Sequence, residues 1–565
     1  MRLAFVVLAA PLLVVGGCAS APRAAAPGEP PPAAAADSAY GMFLAGEAAL
    51  NEGRTADAAR MLDLARAQSG DEPVVAEKAF TAALLAGDVQ RAAGLAPDGP
   101  TASEPAKRLG RLVQAVAYLD AGKGKLAHDL LTADQIGFPH RPAAVLLAPW
   151  AAAAAGDVDG SLVRPQVRGD PVVDYFGQLG QAALYERAKR YDEAETDFKA
   201  VTGGDTPSEI AVLAYGGFLE RRGRRLDAVA LYEAALKREP SNLALKAARD
   251  RASANKAPPS PPTVKQGAAF ALVAPALTMS EAKQGQMALA YLRLSLALDP
   301  DRNDAWLMVG DLLQAGGDVE GARAAYSRPR PNAPEFPAAQ AKLAWSYQNA
   351  GDKAGAIRLA RAGAATGDFD ARLTLADLLR ANDQYPEAIT MLTGLIKESS
   401  PPDWRLYYAR GAAYERSGRW PEAEADLQAA LKLRPDEPEL LNYLGYAWID
   451  RGEHLKDALA MVEKAVAAAP RSGAIVDSLG WAYYRLGDFK KAVERLEQAV
   501  ELEAGDPEIN NHLGDAYWMA GRKAEAVFQW RRVLTLNPED RIKADAERKL
   551  ASGQGPAPAA KLAGP

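Results

Sequence analysis

Between residues 404 and 538, small and large apolar positions return in one fixed order. Gly411, Gly445, Gly480 and Gly514 lie 34 or 35 residues apart. Each opens a similar phrase: YARGAAY, NYLGYAW, DSLGWAY and NHLGDAY. Twelve or thirteen residues later stands an alanine (Ala423, Ala458, Ala492, Ala526), and four further on a large apolar residue (Leu427, Val462, Leu496, Trp530). Pro435, Pro470 and Pro538 close three of the four units. The spacing predicts two amphipathic helices per unit with a short turn between them. The glycine and alanine let the two helices approach, and the large residue fills the gap beside them. A proline ends the second helix because it lacks the N–H a continuing helix needs. One such pair leaves an apolar face uncovered, so the units must stack.

The phrase matches the W-x₂-L-G-x₂-Y…A-x₃-F…P pattern and so resembles the tetratricopeptide repeat. That resemblance implies an all-α fold, a solenoid of helix-turn-helix units. Weaker copies start near 369 (Ala376, Ala388, Leu392), 337 (Ala344, Tyr347, Ala356), 303 (Trp306, Gly310, Ala322, Tyr326) and 269 (Ala276, Ala288, Leu292, Pro300). Pro275 inside the first helix of that last copy is a departure. Glu539 to Leu550 is charged and helical in composition, as expected of a polar cap. One extra residue, at Glu453-His454, falls in a turn, where insertion is tolerated. Residues 38–251 repeat the theme with less fidelity. Ala58, Leu62 and Ala65 mark one unit, Tyr185, Ala194 and Phe198 another, and Gly216, Ala228, Tyr232 and Pro240 a third. Between 73 and 170 the phase is not held. Residues 252–266, ASANKAPPSPPTVKQ, are rich in proline and predict a linker between two arrays, 38–251 and 267–551. Residues 552–565 read as a disordered tail.

The first 37 residues stand apart from the fold. Met1-Arg2 is a short positive start, and Leu3 to Val15 is an apolar run too short for a membrane-spanning helix of about 20 residues. Val15-Gly-Gly-Cys18 after such a run resembles the bacterial lipobox, and Cys18 is the only cysteine. The resemblance implies a signal peptide over 1–17, a lipid-carrying Cys18 and a disordered Ala/Pro-rich tether to residue 37. Ala19 replaces the Asp that resembles an inner-membrane retention signal. The resemblance therefore places the protein on the outer membrane, facing the periplasm.

Composition mainly excludes. Lys plus Arg is 66 against 72 Asp plus Glu, a net charge of −6, which argues against nucleic acid as a partner. One Cys and four His leave no disulfide framework and no cysteine-rich zinc site. No phosphate-binding loop, nucleophile elbow or H-E-x-x-H motif occurs. DPDRND at 299–304 alternates oxygen ligands, but Asp304 stands where a calcium loop needs glycine. His128, His140, His454 and His512 are expected at the surface. The expectation is a non-enzyme with no cofactor and no metal.

Function then belongs to a surface. In the repeats this chain resembles, the first helix of each pair lines a concave groove. Its groove positions give Asp477, Trp481, Tyr484 and Arg485 in one unit. Their spacing puts them on one helical face independently of the resemblance. The neighbours contribute Asn442, Tyr446, Ile449 and Asp450, then Asn511, Asp515, Trp518 and Met519, with Tyr408 and Arg416 extending the row. Aromatics mixed with amides and charges suit a polypeptide ligand, although several rings could instead pack between units. Leu444, Leu479, Leu513, Tyr483 and Tyr517 are framework.

The whole plan is similar to proteobacterial tetratricopeptide-repeat outer-membrane lipoproteins. Some of these are adaptors that bind and activate a periplasmic carboxyl-terminal-processing protease and bring it cell-wall hydrolases. The similarity implies a lipid-anchored adaptor with envelope protein partners. A scaffold for a pilus, secretion or exopolysaccharide machine is the second reading, and an envelope glycan binder or enzyme the third.

Overall fold

The computed structural model describes residues 38–553, apart from 70–71, 134, 205–206 and 241, together with residue 555. The leader, Cys18, the tether and most of the tail lie outside the described residues. Among the described residues the secondary structure is helical, with no strand. No helix among them is long and apolar enough to cross a membrane.

The chain divides into two compact units, with the boundary between 374 and 375. In the second unit the helices alternate as A and B partners. Trp404–Arg416 pairs with Trp420–Leu433, and Pro438–Arg451 with Leu455–Ala468. Gly473–Arg485 pairs with Phe489–Leu502, and Pro507–Met519 with Lys523–Val533. Asp540–Ser552 follows and packs on the last pair. Pro438–Arg451 also packs on Gly473–Arg485, and Gly473–Arg485 on Pro507–Met519.

The small residue at the A helix is what permits this spacing. A Cβ added at Gly480 would lie 2.5 Å from Leu496 Cγ, and one at Gly514 would lie 2.5 Å from Trp530 Nε1. Ala423, Ala458, Ala492 and Ala526 are fully buried on the facing B helices. The turns are equally regular. Gly418, Gly452, Gly487 and Gly521 end successive A helices with φ of 76°, 74°, 82° and 83°, a left-handed backbone that costs glycine least. At the one-residue insertion His454 also takes a left-handed φ of 45°, and its ring rests 4.8 Å from that of Trp448.

The first unit is not a simple stack. Helix Gly285–Leu298 packs against Pro73–Ala86 and Glu104–Asp120, far back in the chain. Helix Val264–Ala271 packs against Arg141–Ala155. Tyr291 and His140 are both buried and share a 2.8 Å hydrogen bond, and Arg293 Nε donates to the Leu85 carbonyl at 3.0 Å. Burial, with the Arg108 charge secondary, pushes the His140 imidazole down to about 4, so it stays neutral. Its expected surface position is therefore corrected.

The expected separation of two arrays at 252–266 also differs from what is found. Residues 264–374 share a compact unit with 38–251, and the proline-rich run lies inside it. The Pro259 carbonyl accepts from Arg221, and Gly267 sits against the Trp150 ring. The physical reason lies in helix Gly285–Leu298, GQMALAYLRLSLAL, which buries nine of its side chains all around its axis. A helix apolar on every side needs partners on every side. The irregular start of the copy near 269 is a break at Leu272, between helices Val264–Ala271 and Val273–Glu281.

Gly480→Val is expected to destabilise the second unit by about 1–3 kcal/mol through overpacking. The melting temperature should fall by about 2–4 °C per kcal/mol for a body of this size. Gly505→Ala, where nothing lies within 4 Å of the added carbon, should leave it unchanged. Differential scanning calorimetry of the two variants checks both.

Candidate functional site

The row of A-helix positions expected to face a partner divides into two layers. The deeper layer is buried and is spent on holding units together. Asp477 is 5% exposed and receives His512 Nδ1 at 2.9 and 3.1 Å. Asn511 donates to Asp545 at 3.1 Å and accepts from Lys549 at 3.2 Å. Asp515 accepts from Trp530 Nε1 at 3.0 Å and pairs with Lys549 at 2.6 Å. Lys549, on the last helix, is 2% exposed and also reaches Asp545 at 2.5 Å. Tyr484 is 3% exposed, with its ring edge-on to Phe489 at 5.7 Å. Ile449 is buried in the core. Asp477, Tyr484, Asn511, Asp515 and Ile449 are thus not open groove residues, because the next unit's helix covers them.

One geometric rule accounts for much of this layer. At two of the three junctions the residue three before the framework glycine meets the residue two before the glycine of the following unit. Tyr408 meets Tyr443 edge-on at 5.3 Å, and Asp477 meets His512. The final unit has no successor, and the cap helix supplies Asp545 and Lys549 to Asn511 instead.

The upper layer keeps open edges. Tyr446, Trp481, Trp518 and Met519 are half-buried, as are Tyr408, Asn442 and Arg485. Asp450 and Arg416 are exposed. Arg485 donates to the Asp450 carbonyl at 2.7 Å, tying two units at the rim. The Trp481 indole lies flat between the Tyr484 ring (4.5 Å, 7°) and the His512 imidazole (4.1 Å, 17°). Trp518 leans on Trp530 at 5.4 Å, with Lys523 Nζ 4.9 Å from its centre. Burial raises the phenols of Tyr446 and Tyr484, so both stay protonated donors. Three polar atoms here have no partner among the described residues: Asn442 Oδ1, Trp481 Nε1 and Tyr484 Oη.

Comparison with known proteins fixes the repeat type. A family model described as tetratricopeptide repeat matches residues 179–243, 286–335, 373–426, 408–473 and 478–540. These segments are tetratricopeptide repeats. No catalytic family is indicated. A tetratricopeptide-repeat-containing protein of Pseudomonas aeruginosa is 33% identical over 162 residues, covering 28% of this chain and 27% of that protein. Human Superkiller complex protein 3 is 28% identical over 159 residues, 28% of this chain and 10% of its own. The chain thus spans about a quarter of the first relative's length and a tenth of the second's. Among solved structures, the APC/C hetero-tetramer Cut9-Hcn1 aligns over 92% of this chain and 97% of its own, at 16% identity and a TM-score of 0.38. A thermophilic tetratricopeptide-repeat protein of Thermus thermophilus aligns over 33% of this chain and 97% of its own, at 26% identity and a TM-score of 0.29.

The residues that join neighbouring repeats were not evident from the sequence alone. His512, expected at the surface, is buried, and Lys549 is buried in a helix expected to be simply polar. A signal existed: within NYLG, DSLG and NHLG, an acid in one repeat stands diagonal to an imidazole in the next. The acidic stretch 299–304 has another use. Asp301 pairs with Arg330, and Asp304 with Arg302 and the Ala305 N–H at the start of helix Asn303–Ala315.

Burial opposes the charged form of His512, but the charge of Asp477 and its hydrogen bond outweigh this, aided by Glu508 and Asp515. The imidazole is therefore held above its ordinary value of about 6.5. A raised histidine value contributes stability that is complete below about pH 6.5 and is lost as pH rises through the folded-state value. The melting temperature of the second unit is expected to fall as pH is raised from 6 through 9. His512→Ala should remove that dependence and, by leaving Asp477 buried without its cation, cost about 3–5 kcal/mol. Thermal melts of both proteins across that range check the sign.

Proposed function

We propose that the protein is a scaffold that holds another polypeptide against the open layer of its second unit. One observation carries this reading. Tyr446, Trp481 and Trp518 keep part-open rings along consecutive A helices. Aromatic faces supply contact area at little entropic cost. The deeper layer keeps those rings in place.

The same reading extends to the cell. A lipid on Cys18 holds the scaffold to the outer membrane with its repeats in the periplasm. The V-G-G-C motif and the Ala/Pro-rich stretch after it support this. The partner is an envelope protein, and the plan's similarity to protease-adaptor lipoproteins favours a carboxyl-terminal-processing protease and its substrates. Hydrophobic anchoring by acyl chains would leave the groove free to work at the membrane surface.

Truncating a central aromatic in such a contact costs about 2 kcal/mol or more, above tenfold in affinity. In-cell cross-linking is therefore expected to capture a protein partner from the intact chain. Tyr446→Ala and Trp518→Ala should each reduce capture at least about tenfold. Phe528→Ala, an equally apolar change at an exposed B-helix position, should not. Equal capture by all four proteins would sink the groove reading.

A further inference from the structure

Three successive turns of the first unit gather cations at one edge. The first joins helix Pro171–Arg187 to Tyr191–Thr202, the second joins Glu209–Arg221 to Arg225–Leu236, and the third follows Leu243–Ser253. The turns touch one another. Arg222 lies over the Tyr191 ring, 3.7 Å from its centre, and Arg225 donates to Asn255 and, at 3.2 Å, to the Lys256 carbonyl. Arg190 is matched by Glu193, and Arg224 by Glu195 and Asp227. Arg187, Lys189, Arg222 and Lys256 are exposed and make no ion pair among the described residues, while Asp192 is an exposed acid beside them. In their midst stands Leu226, 85% exposed, the most exposed large apolar side chain among the described residues. We propose that these turns form a contact surface for an anionic phospholipid bilayer, with the cations on headgroup phosphates and Leu226 entering the apolar boundary beneath.

The fold itself does not call for these residues. At corresponding turns Asp88, Asp157, Asp318, Asp352 and Asp488 precede the second helix and cap it. Here Arg190 and Arg224 take that place without capping, and a cation there opposes the helix dipole. Lys123, Arg419 and Arg522 do so singly, whereas Arg190 and Arg224 stand on adjacent turns. Lys189 takes a left-handed φ of 60° where the next turn has Gly223 at 78°, a backbone that costs lysine more than glycine. Leu226 is left in water, and only an apolar surface outside the chain recovers its burial. A lone leucine among cations offers a protein partner little contiguous apolar area. It suits a bilayer, where basic side chains meet anionic headgroups and an apolar side chain reaches the acyl boundary. No described helix is long and apolar enough to cross a membrane, and a surface of this kind holds the unit at a bilayer without spanning it.

The test reads the surface locally, in the full chain. A nitrobenzoxadiazole fluorophore on Leu226→Cys, in a chain with Cys18→Ser, is titrated with vesicles of phosphatidylglycerol and phosphatidylcholine. The probe is expected to brighten and shift to the blue, to stay dark with phosphatidylcholine alone, and to lose the response in high salt, which screens the phosphates. The same fluorophore on Phe528→Cys, exposed in the second unit, should not respond. Binding through other parts of the chain leaves the probe at 226 in water and so does not mimic the result. Replacing Arg187, Lys189 and Arg222 together by Gln is expected to weaken the response to anionic vesicles at least about tenfold. Thermal melts should show the variant folded, since none of the three has an ion pair to lose. A dark probe with anionic vesicles, an equal response to neutral ones, or an unchanged affinity in the folded triple variant overturns the proposal. Brightening with polyglutamate but not with vesicles also overturns it, and assigns the turns to an acidic polypeptide.

Discussion

Everything in the second unit depends on an exchange of volume between two helices. Where an A helix presents glycine, its B partner presents leucine, valine or tryptophan, and the two backbones approach until the large side chain closes the gap. Dense packing tolerates little change in that volume. The exchange fixes the distance within a pair, and that distance fixes which side chains of successive A helices meet. The diagonal contacts between Tyr408 and Tyr443, and between Asp477 and His512, follow from it. So does the closing of the array by a helix that brings a buried lysine to Asp515 in place of another repeat.

This constraint explains which parts of the fold the sequence revealed. A rule that repeats with fixed spacing is visible without coordinates, so the helix pairs from Trp404 to Val533 were legible from glycine, alanine and large apolar positions alone. The first unit was not, because its decisive contacts join distant segments. Trp150 with Gly267, and His140 with Tyr291, are single events with no period to expose them. The proline run at 252–266 points to a boundary because composition marks irregular backbone. It does not mark where packing stops. The all-round apolar surface of helix Gly285–Leu298 was the stronger clue, since it demanded partners that its own neighbours in sequence did not supply.

The candidate groove was legible as a face but not as a depth. Helical spacing correctly grouped Asp477, Trp481, Tyr484 and Arg485 on one side of a helix, yet spacing is blind to the next repeat, which buries Asp477 and Tyr484. Polar residues on a concave face therefore carry an ambiguity that only packing resolves. A carboxylate there can meet a partner or tie two repeats. On this face Asp477 and Asp515 tie successive elements, since each has an imidazole or cation from a later helix within hydrogen-bond distance.

That division of labour constrains how such a surface can change. The buried layer cannot be varied for a new partner without leaving a charge unpaired inside the stack, a loss of several kcal/mol. The half-open rings are less constrained, because truncating an exposed ring edge removes contact area without orphaning a buried charge. Trp481 sits at the junction of the two layers. One face of its ring lies against His512 and the other against Tyr484, while its indole N–H is buried with no partner among the described residues.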